Sequence, residues 1–505
     1  MAAGQCGCAF VTAVLSAATI LVLVGSDVAA VPSTSNRTCY SADVQWRHEQ
    51  VQSYRFNGSL REAPLPRHTR WHAESEHDWA WPPEVVAPRL APVALWYVRG
   101  VAYDLSVFAD RHPGGHRYIL NTANSDITEL FEAHHIGTTA AATLAKLRHR
   151  PREFEQSATP VVYRGHTSTR FKALKRAIAA SFDLHGLKEP DAEYMALFWA
   201  TLGSHVGLLG ACLTVPPPAA RRGTSASLAA AAALRPWLWH TGLGLTTCWL
   251  GGFAHNGLHL WPRRRLETLT MYLSLSNNPF RWMQKHIVSH HVHTNTAHDG
   301  DKPVVHDFQR WWRSMPLLNL LGLTLGTFVI GLHSSCCRAA ESLTMTTAEQ
   351  ALPLVLLALV LLVGCRLQGR RFVPRLLWTM CLTSTYTFIL FQVSHYQPGT
   401  LDGDAVHATV DDWGEFQLRT TWGWLQRSRP LVCVPFLNLN LQPAHHLLPA
   451  VHHSKLREIT PLIREHYPGL MEDRSSVLAM IANMASILVG RDCLQQSVQL
   501  EQRVG

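Results

Sequence analysis

Residues Leu95–His135 read LWYVRGVAYDLSVFADRHPGGHRYILNTANSDITELFEAHH. Two strand-like pieces, Ala94–Tyr97 and Val101–Asp104, lead to a turn at His112-Pro113-Gly114-Gly115, with helices expected around Arg117–Asn121 and Ile127–His134. The paired glycines let the backbone approach a flat ligand closely. His134 and His135 follow His112 by 22 and 23 residues. Two opposed imidazoles give a six-coordinate haem iron with no site left for oxygen, which suits electron transfer. Apolar Leu105, Phe108, Ile119, Leu130 and Phe131 could line one pocket around it. A plainer reading makes His112 a turn residue and the second histidine a helix-end cation set against the helix dipole. The joint presence of YDLSVFADR, HPGG and DITELFEAHH favours the haem.

Outward from this stretch, the 505 residues divide unevenly. Residues up to about Ser181 are polar beyond the first 25, whereas Tyr194–Val393 holds several apolar runs of membrane-spanning character. The 29 histidines cluster where those runs end. The first group, His255-Asn256-Gly257-Leu258-His259, places two imidazoles on one helical face. The second is His286-Ile287-Val288-Ser289-His290-His291, followed by Val292-His293-Thr294-Asn295. Its i, i+4, i+5 spacing splays His291 off an α-helical face, so a π-bulge or a non-helical turn is expected there. The third is Gln442-Pro443-Ala444-His445-His446, and His395 closes another apolar run. Interfacial histidines bonded to lipid headgroups would explain two or three of these, not eight in clustered pairs. Imidazole suits iron, zinc and copper alike, so residue type alone does not name the metal.

The Leu95–His135 stretch resembles the cytochrome b5 haem-binding domain, over roughly Glu84 to Arg150. That resemblance implies haem b held by His112 and His135, with His134 adjacent. HNGLH, W-x-x-x-H-x-x-x-HH-x-x-TN and Q-x-x-HH are similar to the histidine boxes of membrane fatty acid desaturases, and Q-x-x-HH marks the cytochrome-b5-fused front-end class. DDWGEFQLRTT, from Asp411 to Thr421, looks like the loop before that third box. The resemblance, from about Phe198 to Leu456, implies two iron ions held by His255, His259, His286, His290, His291, His395, His445 and His446, with Gln442 in place of a ninth imidazole. Most desaturases have two residues before the second-box pair; this chain has three, a length that cytochrome-b5-related proteins share.

The expected architecture is therefore an α+β haem domain fused to an all-α polytopic membrane domain, with about four transmembrane helices and a cytosolic histidine-rich cap. Its expected segments are an apolar anchor or signal-like piece (1–30), a linker (31–83), the haem domain (84–160), a second linker (161–193), the desaturase domain (194–456) and a helical tail (457–505). The first segment lacks a basic start and is followed by Arg37, Arg47 and Arg55, which favours an uncleaved anchor. Asn36 and Asn57 sit in glycosylation triplets, which arise commonly by chance. The formal charge is +9, but the arginines are scattered or sit at span ends, as in Arg263–Arg265 and Arg370–Arg371, which argues for lipid headgroups rather than nucleic acid. Eleven cysteines show no C-x-x-C pair, and a reducing, cytosol-facing setting follows as the default.

Haem and boxes must share a membrane face. Tyr194–Val215 and Pro236–Phe253 give two crossings before the first box, but three runs, Met315–Leu332, Ala351–Cys365 and Leu376–Val393, precede His395. Met315–Leu332, with Pro316 and Asn319, is the one expected to lie on the surface, which leaves the basic RLQGRRFVPR loop on the far side. Val477–Val489 is too short to span and is expected to be an interfacial or packing helix. The expected reaction removes two vicinal hydrogens from a lipid acyl chain (acyl-CoA, phospholipid or sphingolipid) at the endoplasmic reticulum. It would use O2 and electrons delivered from an NADH-dependent cytochrome b5 reductase through the haem. A di-iron hydroxylase and a non-catalytic electron-transfer protein are the alternatives.

Overall fold

The computed structural model describes residues 95–148 (save 124), 168–214, 225–301 (save 297 and 298), 324, 345–426 (save 401 and 402), 436–471 and 476–488. The N-terminal anchor, Asn36, Asn57, the first linker and, apart from Thr324, the Met315–Leu332 run lie outside these residues.

Strands β1 (Trp96–Val98) and β2 (Val101–Tyr103) form an antiparallel hairpin, shorter at its outer ends than the sequence suggested. Its tight turn is carried by Arg99 and Gly100, both at positive φ. Helices α1 (His116–Leu120), α2 (Thr128–His134) and α3 (Thr139–Lys146) complete the unit. Trp96, Val98, Leu105, Ala109, Ile119 and Leu144 form its core, with Phe108 and Phe131 packed alongside. Leu130, expected in the same pocket, faces the other way and joins Leu258, Phe280, Met283 and Ile287. On a helix, Leu130 and Phe131 cannot share a face, because successive side chains diverge by about 100°.

A buried ion pair ties this unit to α4 (Thr169–Ser181): Lys175 meets the Glu132 carboxylate and also donates to the carbonyls of Glu132 (3.0 Å) and His135 (3.1 Å). Arg99 holds the other oxygen of Glu132. Glu132→Ala would strand a buried ammonium, so a loss of about 3–5 kcal/mol is expected. A lower temperature for loss of the haem spectrum in the full chain is the check, and an unchanged one contradicts it.

Four long helices follow: α5 (Ala192–Thr214), α6 (Ala226–His259) and, after a gap in the described residues and two short helices, α7 (Arg265–Leu269) and α8 (Pro279–Trp282), the pair α9 (Thr347–Gln368) and α10 (Phe372–Gln392). At 1.5 Å per residue each is at least about 31 Å long. Helix α6 starts ten residues before the expected Pro236, because ASLAAAAALR is rich in strong helix formers and Pro236 is absorbed in the interior. Among the described residues, Gly186–Thr214 and Thr347–Gln392 are long and apolar enough to cross a membrane.

The helices alternate in direction. The α9–α10 corner turns at Gly369 (φ +67°), and Gln368 there donates to the Cys212 carbonyl near the end of α5. At the opposite end lie His255 and His259 at the close of α6, His395 after α10, and the α9 N-terminus. Thr346 and Glu349 form a capping box at that N-terminus, and Glu349 also pairs with Arg117 of the small unit at 2.7 Å. The chain thus places all histidine groups at one end of the helices and the basic corner, with exposed Arg370 and Arg371, at the other.

Beyond α10, α11 (Gly403–Thr409), α12 (Trp413–Arg419), α13 (Gln442–Leu447) and α14 (Leu456–His466) build a cap whose core includes Phe171, Trp413, Phe416, Leu441, Leu447, Ile459 and Tyr467. Helix α15 (Val477–Leu488) packs Met480 and Met484 against Leu390, Val393 and Tyr396, and Gln397 donates to the Met480 carbonyl at 2.9 Å. It is a packing helix.

Candidate metal centre and haem site

Residues Met283–His290 form a π-helix, and the His291 amide donates to the His286 carbonyl at 2.9 Å, an i to i+5 bond. The wider turn brings His286, His290 and His291 to one side, which α-helical geometry cannot do. In the first box, Gly257 sits where a Cβ would lie 2.8 Å from Glu267 Cβ and from the Thr268 amide, so only glycine lets α7 pack against this end of α6. The third box is a short buried helix, α13, with Pro443 in its first turn, where a missing N–H is harmless.

These elements bring the eight box histidines together, all buried. Two groups can be drawn among them, His255, His259, His286, His291 and His445 in one and His290, His395 and His446 in the other, with the donor atoms of each within 4.8 Å of one another; His286 and His290 also form an overlapping set with Asp301. Nε2 of His286 lies 2.7 Å from that of His255 and 3.1 Å from that of His291, and His445 Nε2 lies 3.2 Å from His255 Nε2. Metal–nitrogen bonds of about 2 Å set neighbouring ligand nitrogens roughly 3 Å apart, the spacing found here. Gln442 Nε2 lies 3.4 Å from His395 Nε2, beside the smaller group, and its Oε1 is buried without a partner.

Outer partners fix the tautomers. His286 Nδ1 donates to Asp301 (3.0 Å), His290 Nδ1 to Asp299 (2.9 Å) and His446 Nδ1 to Gln417 Oε1 (3.1 Å). A proton on Nδ1 leaves Nε2 with a bare lone pair, and those lone pairs converge. Burial and neighbouring rings hold His255, His259, His291, His445 and His446 well below the ordinary imidazole range, so they stay neutral and available as ligands. His290 departs from this: burial opposes its charge, but Asp299 and Asp301 together outweigh it and raise its pKa. The donor set, with unpartnered buried Nε2 atoms on His259 and His446 and the Nε2 atoms of His255, His286, His291 and His445 closely grouped, fits resident metal ions.

Asp299, Asp301, Gln417, Asn295 and His453 did not stand out in the sequence as site residues. Asn295, at φ +60°, donates to the carbonyls of His395 (3.1 Å), Thr400 (2.6 Å) and Thr420 (3.2 Å), which ties three loops around the site. His453 Nε2 meets His445 Nδ1 at 3.2 Å. The HDGD run after the second box and the glutamine in DDWGEFQLRTT were the available signals. Asp299→Asn and Asp301→Asn are each expected to weaken metal retention by about 10–100-fold. Chelator competition checks this, and unchanged retention contradicts it.

At the small unit, the His112 and His135 rings face each other with centroids 6.1 Å apart. Each Nδ1 is held by a backbone carbonyl, Gly115 for His112 (3.1 Å) and Phe131 for His135 (2.8 Å), so both Nε2 atoms are bare. Two bonds of about 2 Å through a shared metal ion separate ring centroids by roughly 6 Å. The pair therefore fits axial ligation of a haem iron. Burial lowers both pKa values, that of His135 to about 4. His134 is turned away from the pair.

The family profile "Cytochrome b5-like Heme/Steroid binding domain" matches residues 89–153, and "Fatty acid desaturase" matches residues 232–472. The chain is 24% identical to the "Cytochrome b5-related protein" of Drosophila melanogaster, over 78% of this chain and 88% of the relative. It is 28% identical to the "Acyl-lipid (7-3)-desaturase, chloroplastic" of Chlamydomonas reinhardtii, over 70% of this chain and 71% of the relative. It is 22% identical to the "Probable Delta(5) fatty acid desaturase C" of Dictyostelium discoideum, over 74% and 85%. With this geometry and these matches, the chain carries a fatty acid desaturase domain with a cytochrome b5-like domain fused ahead of it, and is an oxidoreductase of the desaturase type.

Proposed function

We propose that the chain introduces a double bond into a lipid acyl chain, with O2 as oxidant and electrons drawn through its own haem. The observation that carries the reading is the convergence of eight buried imidazoles into two adjacent groups at the end of the long helices nearest the haem unit. His255, His259, His286, His291 and His445 would hold one iron; His290, His395 and His446, with Gln442 beside them, would hold the other. His112 and His135 would hold haem b. The two irons supply, when bound, the capacity to activate dioxygen against an unactivated C–H bond.

The chain's own residues prepare that chemistry. Asp299, Asp301 and Gln417 keep Nδ1 protonated and aim Nε2 inward. Trp282, stacked on His286 at 4.5 Å, and Phe391, edge-on to His255 at 5.3 Å, set apolar rings against the centre, which would help to exclude water from it. Helices α5, α6, α9 and α10 make four membrane crossings, which leaves haem and boxes on the cytosolic face of the endoplasmic reticulum. The tethered haem raises the local supply of electrons from an NADH-dependent reductase by effective concentration. The acyl carrier is an acyl-CoA, a phospholipid or a sphingolipid.

Expression in a host with simple lipids, followed by fatty-acid and sphingoid-base profiling, tests the proposal. The expected product is lighter than its precursor by two hydrogens. A product heavier by one oxygen would make the chain a hydroxylase. Gln442→His is expected to retain metal and product, because an imidazole there restores a ninth ligand.

A further inference from the structure

The haem unit is docked on the desaturase domain through its ligand-bearing turns. The Tyr118 hydroxyl donates to the Leu258 carbonyl, inside the first box, and the Arg117 guanidinium lies 3.8 Å from the Phe280 ring centroid. A Cβ at Gly115 would stand 3.4 Å from the Trp261 ring, so the haem turn rests on the segment that leaves the first box. Within this contact, His134 and His135 point in opposite directions. His135 faces His112, while the His134 ring lies nearly parallel to that of His259, at 17° with centroids 6.1 Å apart. The His134 Nδ1 is bonded to the Leu130 carbonyl at 3.0 Å, and its Nε2 is buried without a partner. His259 also lacks a partner on either nitrogen among the described residues, unlike His286, His290, His445 and His446.

We propose that His134 is a positioning residue for electron transfer, the side chain that couples the haem ligand His135 to the metal-centre ligand His259. The inference rests on the electron route proposed above. His134 and His135 are consecutive residues at the end of α2, and no other described side chain of the haem unit stands in ring contact with His259. Each transfer oxidises one ferrous haem to ferric and reduces one ferric iron of the histidine centre to ferrous. No bond is made or broken, and two transfers deliver the two electrons of a turnover, with an NADH-dependent reductase restoring the haem.

The test uses full-length protein loaded with haem and iron, oxidised and anaerobic. A flavin photosensitiser reduces the haem in a laser flash, and the decay of the ferrous haem band reports transfer without any lipid substrate. His134→Leu is expected to slow that decay by roughly tenfold or more, since misplaced partners of this kind cost up to about 10²-fold. His134→Phe keeps a ring in the same place and is expected to recover most of the rate. The low-spin haem signal, the haem midpoint potential and the iron content are expected to stay unchanged in both variants. A wild-type rate in fully loaded His134→Leu overturns the role of His134 and leaves the electron route standing. Loss of haem or iron from both variants assigns His134 to structure and overturns it equally. No decay in loaded wild-type protein overturns the electron route itself, and this proposal with it.

Discussion

His290→Ala and His446→Ala are each expected to lower lipid product by on the order of 10⁴-fold or more, because residues acting as a unit fail together. Both belong to the smaller group with His395, which has three imidazoles and no spare, whereas the larger group has five. Removal of His290 also leaves the buried Asp299 carboxylate without the imidazole 2.9 Å away. The double variant should be scarcely worse than either single one. Product per unit of protein is the measurement, with the haem spectrum recorded in parallel. Since His112 and His135 are held by the backbone carbonyls of Gly115 and Phe131, that spectrum is expected to survive. Full product in either variant would contradict the assignment of these residues.

The second large effect is expected from His112→Ala. Gly114 packs against this ring, with a Cβ there 2.8 Å from His112 Cε1, so the turn is shaped around the imidazole. If His112 and His135 hold the haem as proposed, this substitution would leave only one of them, and the low-spin haem spectrum is expected to disappear. Product should fall to a small fraction of wild type while the histidine centre keeps its iron. A separate cytochrome b5 is expected to restore part of the activity, because the metal centre itself is intact. Retention of a low-spin spectrum in His112→Ala would exclude His112 as a ligand.

Much of this site was legible in the sequence because its determinants are periodic. HNGLH needs only a helix to bring two imidazoles together. The i, i+4, i+5 spacing of the second box splays His291 off a regular α-helix, and of the two expected remedies, a π-bulge or a non-helical turn, the chain adopts a π-helical one. The outer partners were less legible. Asp299, Gln417 and His453 each hold a single ring, Asp299 and His453 from nine and eight residues away and Gln417 from α12, 29 residues away, and no spacing rule marks them. The opposed orientation of His134 and His135 was also hidden, since adjacent residues at a helix end differ only in which neighbour they meet. The parity of the apolar runs was resolved only in part: α9 and α10 form an antiparallel pair around Gly369, whereas the Met315–Leu332 run lies, apart from Thr324, outside the described residues.

The central claim is that two histidine groups form one two-iron centre beside a bis-histidine haem. Metal analysis of the purified full-length chain tests it most directly, with haem iron determined separately by its spectrum. The account predicts two non-haem irons for each haem, both lost together when His290 or His446 is removed. Zinc in catalytically active protein, or a single non-haem iron for each haem, would contradict it.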